Sequence, residues 1–457
     1  MYWTAGLIYF LILAITLASA KIGHFWHITD IHLDLDYSVG GDTKRNCRRS
    51  SSSSGHNFRP AARYGDYNCD SPWDLVRSAV HSMEQKHGEI EFILWTGDAV
   101  SELASYSSEQ QYKALSNVTD ILNRYFSSHF VIPVLGHDDP GASRGGRYSY
   151  TDLGHLFEKW LPPDAIVTFN KGGYYTFDQK KSRVRLVALN TNLFSNHILD
   201  SKEELEAQWK WFETIMNKAE KNNERVFIIG HMAPGADERQ FDALPGYSEK
   251  YSAKYLRLVR KHASIIVGQF FGHLHSDTFR IVYDDSKPVS WMMMAPSVSP
   301  RRIPTGNNNP GIRIYKYDTV TGTVLDFSQY YLDLSEANSK NEAVWQLEYN
   351  LTSYYGLNEV SPRSLHELAQ SFTLSNSLLF ERYVRAYSVS FNHHYQHCDS
   401  NCKHTHYCAI TKLEFSEFRN CLETAAHALA SSNNHQQRNA QLASLLLIVP
   451  IVLGRLI

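Results

Sequence analysis

Between residues 22 and 330, short apolar runs of strand length alternate with stretches whose apolar residues recur every three or four positions. The runs are Phe25–Thr29, Phe92–Thr96, Phe130–Leu135, Val184–Asn190, Val226–Gly230 and Ile265–Phe271. Their length and continuity predict buried strands. Leu75, Val76, Ala79, Val80 and Met83 share one face of a predicted helix, with Ser71 as N-cap and Pro72 in the first turn. Leu205, Trp209, Phe212, Ile215 and Met216 line a second helix, opened by the capping box Ser201-Lys202-Glu203-Glu204. Strand–helix alternation predicts an α/β chain whose layered β-sandwich core is flanked by helices. Val289–Met294, Ile312–Tyr317 and Val324–Leu332 follow with no clear helix between them. They predict an antiparallel half that completes a second sheet. From Ala337 to Ser432 the strand signals fade and the spacing turns helical. The pattern therefore divides the chain into a main domain over 21–336 and a small helical subdomain over 337–432, stapled because its core is small.

The two ends read differently. Residues 1–20 carry a short apolar run closed by Ala18-Ser19-Ala20, a secretory signal peptide with its cleavage site. The n-region has no positive charge, which keeps an N-terminal anchor as the alternative. Leu442 to Ile457 is apolar again. A polar spacer and the small residues Ala430, Ser431, Ser432 and Asn433 precede it, so 433–457 predicts a spacer and a GPI-type tail. A single transmembrane helix is the alternative, which Pro450 and Arg455 disfavour. The expected location is the secreted or outer cell-surface space. The first chemical motif begins about ten residues after the expected cleavage site.

Composition adds little to the fold and more to the partners. The chain has 457 residues, 43% of them hydrophobic and 20% charged, with a formal charge of −2. No long basic stretch exists, so a nucleic acid polymer is not an expected partner. The six cysteines are Cys47, Cys69, Cys398, Cys402, Cys408 and Cys421. Their spacing suggests the disulfides Cys47–Cys69, Cys398–Cys402 and Cys408–Cys421. His397, His404 and His406 lie among the last four, which leaves a cysteine–histidine zinc module as the alternative. Asn117 and Asn350 head sequons that a secreted chain would carry glycosylated.

Four short motifs follow apolar runs: Asp30-Ile31-His32, Gly97-Asp98, Gly230-His231 and Gly272-His273-Leu274-His275. Together they supply two carboxylates and four imidazoles at predicted strand ends. Asp30 and His32, two apart, would share one side if the strand continued through them. A glycine lets the backbone turn so that the next side chain projects beyond the sheet. Ligands at the carboxyl ends of neighbouring strands converge on one crevice. Each motif alone is commoner as a turn; the ordered set predicts a metal site. Asp34 and Asp36 are possible partners of a ligating histidine. Asn307-Asn308-Asn309-Pro310 reads as a turn that could line a cleft, Arg301-Arg302 as exposed or phosphate-facing, and His393 and His394 as structural or exposed.

The ordered motifs resemble those of the calcineurin-like metallophosphoesterases. The flanking segments Phe25 to Asp34, Gly65 to Trp73 and Gly268 to His273 resemble the acid sphingomyelinase group. Within it, the chain is most similar to the acid sphingomyelinase-like phosphodiesterases, of the 3b type, over nearly its whole mature length. The resemblance implies a metallophosphoesterase fold and a metal-dependent phosphoric diester hydrolase. It implies that Asp30, His32 and His275 hold one metal, that Asp98 bridges, and that His231 and His273 hold the second. Two zinc ions suit so many imidazoles. They would hold a bridging hydroxide for attack on a P–O bond. The implied substrates are small phosphodiesters of nucleotide or phosphocholine type, and a GPI anchor would make the membrane a partner.

A fifth motif departs from the family pattern. Where the family has Gly-Asn-His followed by an acid, the chain has Gly136-His137-Asp138-Asp139. With a deleted asparagine, His137 is the general acid and a ligand is missing. With no gap, His137 is a metal ligand and Asp138 stands where the acid belongs. Either way reduced activity is expected. The rival readings are therefore a weakened or inactive surface binding or regulatory protein, and a sphingomyelin phosphodiesterase.

Overall fold

Phe25 and Trp26 are neighbours on one strand, yet both are fully buried. A strand buried on both faces needs a packed layer on each side, and the computed structural model supplies both. It describes residues 21–49, 58–87, 89–140, 147–179, 184–195, 202–239, 246–301, 306–374, 376–391 and 398–424. The predicted signal peptide 1–20, the predicted GPI-type tail 433–457, Ser50 to Ser54, Ser201, Arg302, His393, His394 and His397 lie outside the described residues.

The strands are β1 (Ile22–Ile28), β2 (Phe92–Trp95), β3 (Phe130–Pro133), β4 (Tyr175–Asp178), β5 (Val184–Ala188), β6 (Arg225–Ile229), β7 (Ile266–Phe271), β8 (Thr278–Asp284), β9 (Lys287–Met294), β10 (Gly311–Asp318), β11 (Val324–Leu332) and β12 (Trp345–Asn350). The helices are α1 (Trp73–Lys86), α2 (Ser108–Tyr125), α3 (Tyr150–Phe157), α4 (Pro163–Gly172), α5 (Lys202–Lys221), α6 (Glu249–Lys261), α7 (Leu334–Lys340), α8 (Leu351–Tyr355), α9 (Pro362–Phe372), α10 (Leu378–Tyr387) and α11 (Ser400–Thr411).

They form two six-stranded mixed sheets, ordered β12-β11-β10-β1-β2-β3 and β4-β5-β6-β7-β9-β8. The sheets meet face to face through aromatic rings. Phe25 stacks on Phe92 at 4.8 Å and Tyr315 at 4.9 Å within its own sheet, and reaches across to Phe227 at 5.7 Å and Phe270 at 5.4 Å. Trp26 faces outward, its Nε1 donating to His87 O just beyond α1. On the other outer face, Trp209 and Phe212 of α5 and Tyr255 and Val259 of α6 cover Val187, Val226, Ile228 and Met292. The predicted α/β sandwich is the observed one.

Some details differ from expectation. The later strands do not form one antiparallel half. β9 pairs parallel with β7 in the second sheet, while β10 and β11 extend the first sheet beside β1. Their uniform apolar look carries no information on which sheet each joins. α1 begins at Trp73 with Pro72 in the cap position and no side-chain cap. Ser71 instead bonds by its backbone to His32 and Asp34. Beyond residue 337 the chain is largely helical, but β12 pairs antiparallel with β11, and α9 and α11 pack on β8. Leu365, Phe372 and Tyr383 belong to the same apolar cluster as Phe25.

Glu348 on β12 accepts a bond from Ser390 Oγ at 2.7 Å, while its Oε2 has no partner. Burial pushes its carboxyl up from the ordinary 4.5 to about 8. The folded chain therefore holds a proton at neutral pH that the unfolded chain releases, so stability falls as pH rises from 4.5 towards 8. Glu348→Gln removes that dependence. It is expected to stabilise the fold on the order of 1–3 kcal/mol at pH 8 and to be neutral near pH 4.5. Thermal melts at the two pH values check this, and a mutant–wild-type difference independent of pH refutes it.

Candidate metal centre

The six candidate ligands all lie beyond strand ends, on turns. Asp30 and His32 follow β1 with φ of 48° and 45°; Asp98 follows β2 with 52°; His273 and His275 follow β7 with 66° and 55°. Asp30 and His32 thus do not share a strand face as expected, since β1 ends at Ile28. Paired left-handed turns bring them together instead. Left-handed backbone costs a non-glycine residue roughly 1–3 kcal/mol, and it persists only where the surroundings over-determine it. Here they do. Asp30 N donates to Gly97 O at 3.0 Å, His32 N to Asp98 O at 2.9 Å, Gly272 N to His231 O at 2.9 Å and Ser299 N to Asp30 O at 3.1 Å. Each ligand loop is sewn to the next.

Two glycines are there for close approach rather than for φ. A Cβ on Gly136 would lie 2.0 Å from Asp98 Oδ1, and one on Gly272 would lie 2.0 Å from Thr29 Oγ1 and 2.6 Å from Asp30 Oδ2. Any other residue at either place displaces a carboxylate.

The imidazoles are oriented from behind by backbone carbonyls. His32 Nδ1 faces Val100 O at 3.1 Å, His275 Nδ1 faces Arg301 O at 2.8 Å and His231 Nδ1 faces Thr96 O at 2.7 Å. A carbonyl only accepts, so each Nδ1 carries the hydrogen and each Nε2 presents a lone pair. Those lone pairs converge. His32 Nε2 and His275 Nε2 are 3.0 Å apart, and Asp30 Oδ1 lies 3.4 Å from His275 Nε2. Asp30 Oδ2 is turned away, accepting from Thr29 Oγ1 at 2.6 Å and His273 N at 2.9 Å. Asp98 Oδ1 accepts from Asp138 N at 2.9 Å. Its Oδ2, fully buried and without a hydrogen bond, lies 3.0 Å from His231 Nε2 and 3.8 Å from His32 Nε2. His273 Nδ1 is likewise buried without a partner. Asp30, His32 and His275 form one group of potential ligand atoms; Asp98, His137, His231 and His273 form a second. Asp98 reaches both, as a bridging carboxylate must.

The electrostatics fit a bound cation. Burial opposes a positive charge on His32, but Asp98, Asp70 and Asp138 outweigh it and favour one there, a charge that a bound cation would supply while leaving Nε2 its lone pair. Burial would raise Asp98, yet the His137 and His231 rings keep it well below the ordinary carboxylate range. Burial, with His137 and His231 beside it, keeps His273 neutral. Opposed lone pairs and orphaned buried oxygens are costly alone and are satisfied together by metal ions. The residues therefore fit a dinuclear centre.

Asp139 is a residue whose role the sequence reading missed. It is buried and accepts three amide hydrogens: Gly136 N at 2.8 Å and Asp98 N at 2.9 Å on Oδ2, and Ala99 N at 2.8 Å on Oδ1. It ties the fifth motif to the Asp98 turn. His137 is placed with Nδ1 at 2.8 Å from Asp98 Oδ2. Asp138 Oδ2 lies 3.7 Å from both His32 Nδ1 and His137 Nε2. Burial and the charge of Asp98 push the Asp138 carboxyl up to about 6.

Other expectations resolve less favourably. Asp34 touches no ligand histidine; it holds Arg48 and the Tyr106 hydroxyl, and Asp36 only donates its N–H to Asp34. The Arg301 guanidinium is taken by Glu102 at 2.9 Å, while its carbonyl orients His275. Asn308 is fully buried and donates to His275 O, so that asparagine run braces a ligand loop. Asn309 donates to Val389 O at 3.1 Å. The cysteine–histidine zinc alternative is excluded, because Cys47–Cys69, Cys398–Cys402 and Cys408–Cys421 are disulfides. Asn117 lies on α2 and Asn350 ends β12, where its Oδ1 accepts from Ser328 Oγ at 2.6 Å.

Comparison with known proteins agrees with this centre. The calcineurin-like phosphoesterase family profile matches residues 23–277, and the acid sphingomyelin phosphodiesterase C-terminal region matches residues 287–428. The chain is 34% identical over 416 residues to cyclic GMP-AMP phosphodiesterase SMPDL3A of Bos taurus, covering 88% of this chain and 90% of that one. It is 34% identical over 421 residues to acid sphingomyelinase-like phosphodiesterase 3b of Homo sapiens, covering 89% and 91%. To sphingomyelinase phosphodiesterase C of Dictyostelium discoideum it is 31% identical over 423 residues, covering 88% and 93%. A family-profile match over more than half the chain, joined to relatives of this closeness along most of its length, places the chain among the calcineurin-like phosphoesterases, in the branch of the acid sphingomyelinase-like phosphodiesterases, which are metal-dependent phosphoric diester hydrolases.

Proposed function

We propose that the chain is a secreted or cell-surface two-zinc phosphodiesterase acting on small phosphodiesters of nucleotide or phosphocholine type. The observation that carries this is the convergence of the lone pairs of His32, His231 and His275 with Asp30 Oδ1 and Asp98 Oδ2. Asp30, His32 and His275 would hold one zinc, Asp98 would be shared, and His231 and His273 would hold the other. Imidazole-rich donor sets favour zinc over oxygen-seeking metals. A zinc pair bound there supplies a water of lowered pKa and a clamp for the phosphoryl oxygens.

The protein's own part is orientation and proton transfer. The carbonyls of Thr96, Val100 and Arg301 fix the ring tautomers, and Thr29 fixes Asp30. Asp138, at the partly open rim, is the acid placed to hand a proton to the leaving oxygen. Such a carboxyl must stay protonated to serve. Cations held beside Asp138 would lower its carboxyl, which favours as second reading a catalytically weakened or inactive surface binding or regulatory protein.

The relatives' names, one for cyclic GMP-AMP and others for sphingomyelin, frame the substrate test. Chelated protein is expected to lose hydrolysis of an aryl phosphodiester and to regain it with zinc. Cyclic GMP-AMP and sphingomyelin in mixed micelles, assayed beside it, separate the two substrate types. No turnover of any of the three by the zinc-loaded protein overturns the proposal. Three disulfides support an oxidising compartment. No helix among the described residues is long and apolar enough to cross a membrane. A GPI anchor at the tail predicts release from cells by a phosphatidylinositol-cleaving lipase, and retention overturns that part.

A further inference from the structure

We infer that His137 is itself a ligand of the second metal, which makes that site a three-imidazole, one-carboxylate site; the inference rests on the two-metal reading above. Its Nδ1 points inward, 2.8 Å from Asp98 Oδ2 and 3.2 Å from His231 Nε2. His231 Nε2 is a bare lone pair, because its Nδ1 hydrogen is spent on Thr96 O. Asp98 Oδ2 makes no hydrogen bond to either ring despite the short distances. The His273 ring stands edge-on to His137 with centroids 4.9 Å apart. Four potential donor atoms, one each from Asp98, His137, His231 and His273, thus lie within 4.8 Å of one another.

The backbone leaves His137 no slack to turn elsewhere. Gly136 N is held by Asp139, and Asn192 Nδ2 donates to both Leu135 O and Gly136 O at 3.0 Å. Asp138 N is held by Asp98 Oδ1. His137 sits between two clamped peptide groups, with Nδ1 aimed at the cluster and Nε2 3.7 Å from Asp138 Oδ2.

The two sites then differ in softness. The first has two imidazoles, Asp30 and the shared Asp98; the second has three imidazoles and the same shared carboxylate. The second should favour zinc over manganese more strongly. The test is calorimetric titration of metal-free full-length protein with zinc and with manganese, alongside elemental analysis, for wild type, His137→Ala and His137→Asn. The His137 side chain is 41% exposed, so its truncation opens no core void, and a thermal melt confirms folding.

Wild type is expected to take up roughly two zinc ions per chain. His137→Ala should keep one and weaken the other at least tenfold, since losing even a partner behind a ligand costs about 10–100-fold. His137→Asn, which returns an oxygen donor, should recover the second ion with a reduced preference for zinc over manganese. Two zinc ions bound with unchanged affinity by folded His137→Ala overturn the inference and leave the two-metal reading intact. One zinc or none in wild type overturns the two-metal reading itself.

Discussion

Asp98→Asn is expected to lower kcat/KM by about a thousandfold or more, the equivalent of roughly 4 kcal/mol of transition-state stabilisation. Asp98 Oδ2 lies 3.0 Å from His231 Nε2 in one ligand group and 3.8 Å from His32 Nε2 in the other. Its Oδ1 is held by Asp138 N, so the free Oδ2 can turn only towards the histidines. An asparagine keeps the shape and the Oδ1 bond. It replaces the anionic Oδ2 with a neutral amide whose hydrogens would oppose a cation. The fold should survive, because no core volume changes. Steady-state kinetics, metal content and a melt on one preparation make the test. Near wild-type turnover with full metal content would remove Asp98 from the bridging position.

Asp139→Ala is expected to give the largest loss of stability. Three amides, Gly136 N, Asp98 N and Ala99 N, lose their acceptor inside the protein. Each buried unpaired donor costs about 1–3 kcal/mol, so the total is roughly 3–6 kcal/mol once water reaches part of the gap. In a domain of this size that lowers Tm by roughly 6–15 °C. Asp139 touches no ligand atom. Its loss should nevertheless weaken metal binding, because it fixes the turn that presents Asp98. Asp139→Asn retains one acceptor oxygen and should fall between the two. An unchanged melting temperature for Asp139→Ala would show that water or a shifted backbone replaces the carboxylate.

The sequence made the interior strands legible because burial on both faces leaves an uninterrupted apolar run. Phe92 to Trp95 and Val226 to Ile229 are of this kind. β8 was hidden because Arg280 interrupts its pattern; that guanidinium is buried against Glu238. β4, Tyr175–Asp178, was hidden because it lies at a sheet edge with one face half-open. β12, with Glu348 in its middle, fell inside a stretch read as helical. In the site, the residues that project side chains were legible through their glycines and spacing. The residues that act through main-chain carbonyls, Thr96, Val100 and Arg301, were not, since any amino acid offers the same oxygen. Asp139 stood in plain view beside His137. Its role depends on which three amides face it, and that is a property of the turn rather than of the letter.

The seam between the two family segments falls between residues 277 and 287, yet the sheets ignore it. β9, the neighbour of β7, and β10, the neighbour of β1, both come from the later segment. So do Val298, whose N–H bonds Thr29 O, and Ser299, whose N–H bonds Asp30 O. A message spliced to stop at the seam, or a protease cut that released the rest, would strand two central strands with open edges and a half-built ligand loop. The two family segments therefore make one folding unit, and neither can be cut away at the seam without baring a central strand.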